Sequence, residues 1–176
     1  MTKSSALEAI RWLAAHEQDM IDLLRDLVNA DSGTYDKPGV DAAGKVLTDF
    51  WASHGLSVET HPHPTFGDGI SAHLPGADGG SARPILLLGH RDTVFPKGEP
   101  QRRPFTIRDG RGYGPGVADM KSGLVIEAFV IAAFAATGKI SAPLTMLTTS
   151  DEEIASPSSR DLIQNHARQA RAVFNA

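Results

Sequence analysis

The side chains of this sequence that could do chemistry fall into three short clusters: His90 and Asp92; Asp119; and Asp151, Glu152 and Glu153. The sequence contains no Cys, so any metal must be held by nitrogen and oxygen ligands, which suit zinc, manganese or cobalt. A carboxylate beside a metal-activated water can serve as a general base. The residue types therefore predict a metal-dependent hydrolytic site.

Spacing within the clusters suggests a role for each side chain. His90 and Asp92 are two positions apart in a segment predicted to be extended, so both side chains face the same side. Asp92 could then accept the second ring N–H of His90 and orient the ring. Glu152 and Glu153 are adjacent, and in an extended chain they would project to opposite sides. One of them could bind metal while the other faces substrate and water.

The clusters lie at the ends of elements that the hydrophobic pattern predicts. Residues 85–88 and 144–149 are apolar runs typical of buried strands, and residues 122–137 form a helix that is apolar on nearly every side. Further helices are predicted over residues 7–28, 40–54 and 158–169, and further strands over residues 57–61, 70–74, 105–108 and from 172 onward. A capping box of Ser5 and Glu8 should start the first helix. The alternation of strands and helices predicts a parallel α/β sheet, in which functional groups gather beyond the carboxyl ends of the strands.

Composition limits the possible partners. The chain is 41% apolar and 22% charged, with a net charge of −4, so electrostatics favours neither nucleic acid nor an anionic membrane. The N-terminus lacks the pattern of a signal peptide. The longest apolar stretch, residues 124–136, is interrupted by Glu127 and is too short to span a bilayer. A cytoplasmic protein is expected.

Three sequence runs carry a family resemblance: GHRDTVFPKG at 89–98, GYGPGVADMKSG at 112–123 and SDEEIASPSSRDLI at 150–163. In this order and spacing they resemble the M20 metallopeptidases, and among these the glutamate carboxypeptidase (carboxypeptidase G2) type. The resemblance implies a zinc-peptidase-like three-layer α/β sandwich with a mostly parallel central sheet. Residues 1–176 would be the N-terminal part of the catalytic domain, which is incomplete at its C-terminus.

The resemblance also implies a role for each matching residue. His90 corresponds to a ligand of one metal ion, Glu153 to a ligand of the second, and Asp119 to the aspartate that bridges both, followed by a cis peptide bond. Glu152 corresponds to the general base and Asp92 to the carboxylate that orients the histidine. The implied cofactor is two Zn2+ ions per complete site, with Co2+ or Mn2+ as possible substitutes.

The implied activity is cleavage of amide bonds in peptides or N-acyl amino acids by a water activated between two metal ions, with release of glutamate as one option. A deacylase of the acetylornithine or succinyl-diaminopimelate type is the alternative within the family. Nothing in the chain matches the family's two remaining metal ligands or its inserted domain, through which a homodimer would form. The chain alone is therefore expected to be inactive, or at most a weak metal-binding module.

Some of these residues also allow a purely structural interpretation. Asp119 precedes a predicted helix and could be its N-cap. Asp151 fits a turn or a backbone cap better than a metal ligand. His61 and His63 alternate on a predicted strand and could bind metal, but exposed strand histidines are the favoured interpretation.

Overall fold

In the computed structural model, which describes residues 3–77, 82–138 and 140–176, a five-stranded sheet forms the centre of the fold. The strands are β1 (Ser57–His61), β2 (Gly69–Leu74), β3 (Ile85–His90), β4 (Thr106–Arg108), β5 (Arg111–Tyr113), β6 (Leu144–Thr149) and β7 (Ala172–Asn175). The helices are α1 (Lys3–Ala15), α2 (Glu17–Asn29), α3 (Lys37–Ser53), α4 (Glu99–Arg102), α5 (Ser122–Thr137) and α6 (Arg160–Gln169). The central sheet has the order β1-β2-β6-β3-β7, while β4 and β5 form a separate hairpin.

The central sheet is mixed. β3 pairs in parallel with β6 and β7, whereas β2 pairs antiparallel with β1 and β6. In the parallel register of β3 and β6, His90 lies opposite Thr149. The segments that follow these two strands therefore emerge side by side, which brings the first and third clusters to one edge of the sheet.

Helices cover both faces of the sheet, and the three-layer α/β fold is confirmed. One face packs against α3 and α5, with α1 and α2 packed on α5. The other face is covered by α6 through a smaller cluster that contains Leu86, Leu147 and Ala170. The neighbouring β6 residue, Met146, belongs to the larger core, because successive side chains of a strand point to opposite faces.

Helix α5 is the buried helix that the apolar run predicts. It ends at Gly138, whose φ of +64° is a left-handed conformation that favours glycine. The segment Val117–Thr137, which includes α5, is long and apolar enough to span a membrane by length and composition alone. However, 56% of its most apolar window is buried inside the fold, and the backbone leaves helical geometry at Asp119 and Met120. Its packing between the sheet and two helices is that of a core helix.

The prediction for the N-terminal segment is wrong in two respects. The single helix predicted over residues 7–28 is two helices, α1 and α2, that separate at His16, whose amide bonds to Leu13 rather than continuing the helical pattern. The His16 ring stacks on Trp12 at 3.7 Å, which accompanies the break. Because α1 begins at Lys3, Ser5 lies inside the helix and not at its N-cap, so the predicted capping box is also wrong.

Candidate active site

His90 is the centre of the site. It is the last residue of β3, is 5% exposed, and places Nε2 3.1 Å from Oδ1 of Asp119 and 3.5 Å from Oε2 of Glu152. Its Nδ1 lies 3.1 Å from the main-chain oxygen of Asp92 and 3.4 Å from Oδ1 of the same residue. The Nδ1 side of the ring thus faces Asp92, and Nε2 is directed at the carboxylates.

Asp92 also organises the third cluster. It is fully buried and accepts hydrogen bonds from the Thr34 hydroxyl at 2.8 Å and from the main-chain amides of Glu152 at 3.2 Å and Glu153 at 3.3 Å. Burial opposes ionisation, but the bonds from His90, Thr34 and the Glu152 amide, with the charge of His90, lower the pKa of Asp92. One carboxylate therefore fixes both the histidine and the turn that carries the two glutamates. Thr34 lies outside the three motif runs, and no role was predicted for it.

Glu152 and Glu153 lie in a tight turn rather than in an extended segment. Residues Glu152–Ile154 form a single 3-10 turn, closed by a 2.7 Å bond from the Ala155 amide to the Glu152 carbonyl. The expectation that an extended backbone separates the two side chains is therefore wrong. The turn instead leaves both carboxylates near His90, because the buried Asp92 binds both of their amides.

Asp151 has the structural role that the sequence favours. Its carboxylate accepts hydrogen bonds from the amide and hydroxyl of Ser158, at 2.6 and 2.7 Å, and from both donor groups of Ser159. These residues directly precede α6, so Asp151 anchors the start of that helix and does not face His90.

Asp119 reaches the site from the turn that precedes α5. The bond between Asp119 and Met120 is cis, as the resemblance implies. Asp119 does not cap α5, whose N-cap is Lys121, so the N-cap interpretation is excluded. Its side chain is 76% exposed, which leaves the carboxylate open on the side away from His90.

The arrangement fits a divalent cation. Within the described residues, His90, Asp119 and Glu153 are the group that could hold a metal ion, with one ligand atom from each lying within 4.8 Å of the others. Burial alone would lower the pKa of His90, but the hydrogen bond and charge of Asp92 and the charge of Glu152 raise it to about 9. The same surroundings that hold a proton on the ring would favour a metal ion in its place.

The pKa of Glu153 reflects the same crowding of carboxylates. Burial raises it first, and the negative charges of Asp119, Asp92 and Glu152 raise it further, while His90 opposes the shift. A group of carboxylates that repel one another around one imidazole is stabilised by a cation of the kind that nitrogen and oxygen ligands bind, such as zinc.

Two buried cations bind the main chain of the elements around the site, and no sequence pattern predicted either. The Arg91 guanidinium donates to the carbonyls of Val40 at 3.1 Å and Thr148 at 3.0 Å, and burial lowers its pKa to about 10. Lys121 donates to the carbonyls of Leu27 at 2.8 Å and Ala30 at 3.0 Å, and burial lowers its pKa to about 8. Arg and Lys are rarely buried, so a charge in a motif gives no signal of this role.

His61 and His63 take no part in the site. The Nε2 atom of His61 lies 3.1 Å from the Ser71 hydroxyl on the face of the sheet that carries α6, and His61 is half-buried. His63 lies in the loop after β1, where its ring accepts the Phe66 amide at 3.0 Å.

Two cavities adjoin the candidate metal group. One, of about 370 Å³, is lined by His90, Asp119 and Glu152. The other, of about 550 Å³, is lined by Glu153 and by two loops, residues 33–36 and 93–97. A larger apolar cavity of about 770 Å³ lies along α5 and β7 and contains none of the candidate site residues.

A three-layer α/β domain with one histidine and several carboxylates at the carboxyl edge of its sheet has the architecture of a metal-dependent hydrolase domain. The profile of peptidase family M20/M25/M40 matches residues 86–176. The chain belongs to this family.

Individual relatives agree with this assignment. Carboxypeptidase G2 from Pseudomonas sp. (strain RS-16) is 34% identical over 159 residues, which cover 89% of this chain and 38% of that protein. The di-peptidase Dug1p from Saccharomyces cerevisiae is similar in structure, with a TM-score of 0.80, 18% identity, and coverage of 100% of this chain and 41% of the other. Human carnosine dipeptidase 1 is also similar in structure, with a TM-score of 0.79 and 17% identity. The match covers 96% of this chain and 40% of that protein. The two structures support the fold, and the chain spans about two fifths of the length of these relatives.

Proposed function

We propose that this chain forms the N-terminal part of the catalytic domain of a carboxypeptidase-like enzyme that hydrolyses amide bonds of peptides or N-acyl amino acids. Release of glutamate is one option for its specificity, as in the glutamate carboxypeptidase type that the sequence motifs resemble. The observation that carries the proposal is the convergence of His90, Asp119 and Glu153, with Glu152 3.5 Å from the same histidine.

The proposed cofactor is a pair of zinc ions. His90, Asp119 and Glu153 would hold them, with Asp119 shared because its carboxylate has two oxygens and an open side. When bound, such ions polarise an amide carbonyl and make water a nucleophile at neutral pH. Three side chains are too few for two closed coordination shells, so residues beyond this chain would complete them, and the chain alone would be inactive.

Glu152 is the proposed general base. Its side chain is 55% exposed and lies beside the candidate metal group, so it can reach both water and substrate. Glu152 would take a proton from the attacking water and pass it to the nitrogen of the leaving amine. Asp92 would act through His90 and through the amides of the 152–154 turn, and it positions these groups without touching substrate.

Replacement of Glu152 by Gln in the protein that carries the complete catalytic domain tests this assignment. Turnover of a peptide or N-acyl amino acid should fall by about 10²- to 10⁴-fold, the usual contribution of a general base. The zinc content should not change, because Glu152 lies outside the metal group. A matched Glu17→Gln variant, on the exposed surface of α2, should retain normal turnover. Near-normal turnover of Glu152→Gln would remove Glu152 from the role.

An N-acyl amino acid deacylase would use the same residues. A panel that compares peptides, N-acylglutamates, acetylornithine and succinyl-diaminopimelate separates the two activities. The carboxypeptidase proposal predicts the highest kcat/KM for the peptides and N-acylglutamates, and a preference for acetylornithine or succinyl-diaminopimelate would contradict it.

A further inference from the structure

Arg91 stands in the sequence between two residues of the candidate site, His90 and Asp92, yet its side chain serves a different part of the molecule. The side chain is fully buried, and its guanidinium donates to the main chain of other elements rather than to the carboxylates around His90. Burial of a cation is costly unless its donors are satisfied, so the partners of this group indicate what it holds in place.

The guanidinium joins three separate elements. Its Nε donates to the carbonyl of Val40 in α3 at 3.1 Å. Its Nη1 donates to the carbonyls of Thr148 at 3.0 Å and Thr149 at 3.2 Å, which are the last two residues of β6. Its Nη2 donates to the carbonyl of Asp68, directly before β2. The donors of a guanidinium lie in a rigid plane, so these carbonyls are held at fixed positions relative to one another.

The contacts of Arg91 continue to the segment that carries the two glutamates. The Arg91 amide donates to the Thr149 carbonyl at 3.1 Å, so the main chain and the side chain of one residue both bind the end of β6. The next residue, Ser150, donates its hydroxyl to the carbonyl of Gly67, in the same loop that Arg91 binds. The turn at 152–154 follows directly, and its starting point is therefore fixed from below by Arg91.

The charge of Arg91 is balanced within this network. Oδ1 of Asp41 lies 3.9 Å from Nη2 of Arg91 and accepts the Asp68 amide at 2.7 Å. Lys37 pairs with Asp41, at 2.9 Å from Oδ2, and with the carboxylate of Asp68. Two cations thus face two carboxylates. Removal of the guanidinium would unbalance this group, whereas a lysine at position 91 would keep the charge and lose the planar arrangement of donors.

We propose that Arg91 is a positioning residue of the site: by holding the end of β6 and the loop before β2, it sets where Glu152 and Glu153 lie relative to His90. Arg91 itself touches neither metal nor substrate. Ligands and a general base must be held to within about 0.5 Å of the productive geometry, so loss of this anchor should impair metal binding and the chemical step. Substrate binding should be affected less. The inference rests on the proposed amide hydrolase function.

Arg91→Met and Arg91→Lys in the protein that carries the complete catalytic domain test this inference. Met retains much of the apolar length without donors, and Lys retains the charge. Calorimetric zinc titration should show an affinity lower by about tenfold or more in Arg91→Met. The kcat of the zinc-saturated enzyme should fall by about 10²-fold, with little change in KM. Arg91→Lys should lie between the two proteins in both measurements, and the absorption spectrum of the cobalt-loaded Arg91→Met protein should change.

Arg83→Met is the matched control. Arg83 lies at the other end of β3, where its guanidinium donates to the carbonyls of three consecutive residues, 168–170, at 2.7 to 3.0 Å. It is the same kind of contact between an arginine and the main chain, made away from the candidate site. Arg83→Met should lower the free energy of unfolding and leave the zinc affinity, the cobalt spectrum and kcat unchanged.

Normal zinc affinity, cobalt spectrum and kcat in the folded Arg91 variants would overturn the inference, whatever their loss of stability, because a merely structural residue lowers only the folded fraction. If Arg91→Met does not fold, the same measurements on Arg91→Lys decide. Altered metal binding in the Arg91 variants, without hydrolysis by the unmodified enzyme, would support the positioning role and contradict the proposed hydrolase function.

Discussion

Nε2 of His90 lies 3.1 Å from Oδ1 of Asp119, although 29 positions separate the two residues. Met120 connects their backbones, since its sulfur lies 3.1 Å from the His90 amide nitrogen. The approach is close enough that a Cβ atom at Gly89 would lie 2.6 Å from Cε of Met120, so the Met120 side chain would have to move. The distance between the two candidate ligands is thus set by packing of the turn before α5 on the end of β3.

Gly116 should be required for the conformation of the turn that places Asp119. Gly116 and Gly110 have nearly equal φ angles of +70° and +72°, so alanine at either position incurs the same left-handed cost, roughly 1–2 kcal/mol. A Cβ atom at Gly110 meets nothing within 4 Å, whereas at Gly116 it would lie 2.6 Å from Thr93 and 3.2 Å from the Asp119 carbonyl oxygen. Gly116→Ala should therefore lower the free energy of unfolding more than Gly110→Ala, and it alone should weaken zinc binding.

Urea unfolding and zinc titration of both variants measure the two effects. Equal losses of stability, with unchanged zinc affinity in Gly116→Ala, would show that the contact with Thr93 and Asp119 does not hold the turn in place.

Asp92→Asn should weaken zinc binding without removing a ligand. The carboxylate accepts bonds from Thr34 and from two amides while it orients His90, and an amide side chain has only one oxygen to accept them. Loss of such an orienting partner typically weakens metal affinity about 10- to 100-fold. Calorimetric zinc titration checks this value, with Asp19→Asn on the exposed surface of α2 as control. Wild-type affinity in Asp92→Asn would mean that the ring is oriented by other contacts.

The elements that could be predicted from the sequence are those whose pattern is local. The predicted bounds of α5 and β6 agree with the structure because each is a largely apolar segment with a clear end, at Gly138 for α5 and at Pro143 for β6. The position of His90 at one edge of the sheet could also be predicted, because functional residues gather at the carboxyl ends of parallel strands.

The remaining features depend on contacts between distant residues. The turn at 152–154 forms where Asp92, about 60 positions earlier, accepts both glutamate amides. The antiparallel pairing of β2 with β6 follows from tertiary packing, since the strand pattern is the same for either direction. The burial of Arg91 depends on main-chain carbonyls of α3 and β6 that no local pattern reveals.

Glu127 should make the chain less stable as the pH rises. It is 4% exposed, and burial raises its pKa to about 8. The amides of Leu88 and Ala176 partly offset this shift, but neither carboxylate oxygen makes a hydrogen bond of normal geometry. The folded state keeps the proton up to about pH 8, whereas the unfolded chain loses it near 4.5. The free energy of unfolding should fall across this window, by at most about 1.4 kcal/mol per pH unit.

Glu127→Gln should remove this dependence and raise the stability at pH 8, with little effect at pH 4.5. Urea unfolding at both values measures it, against Glu17→Gln as the exposed control. If the two variants have the same pH profile, Glu127 is ionised in the folded state.

His73 should have the opposite effect. Burial lowers its pKa, and the charges of His166 and His61 lower it further, while Glu59, at 3.7 Å from Nε2, opposes the shift. The folded state therefore favours the neutral ring, which is held between the Ser71 hydroxyl at 3.0 Å and the Thr145 hydroxyl at 3.2 Å. A histidine in the unfolded chain binds a proton below pH 6.5, so the free energy of unfolding should fall as the pH drops through that value.

His73→Gln should flatten this acid side of the stability profile, because glutamine can keep a hydrogen bond to one hydroxyl but cannot titrate. Urea unfolding between pH 8 and 5.5 checks the difference, and His54→Gln, at the end of α3 and outside this cluster, is the matched control. Parallel profiles for His73→Gln and the unmodified chain would mean that His73 takes up its proton equally in both states. A flattened acid side here would assign part of the acid dependence of stability to the half-buried His73 ring.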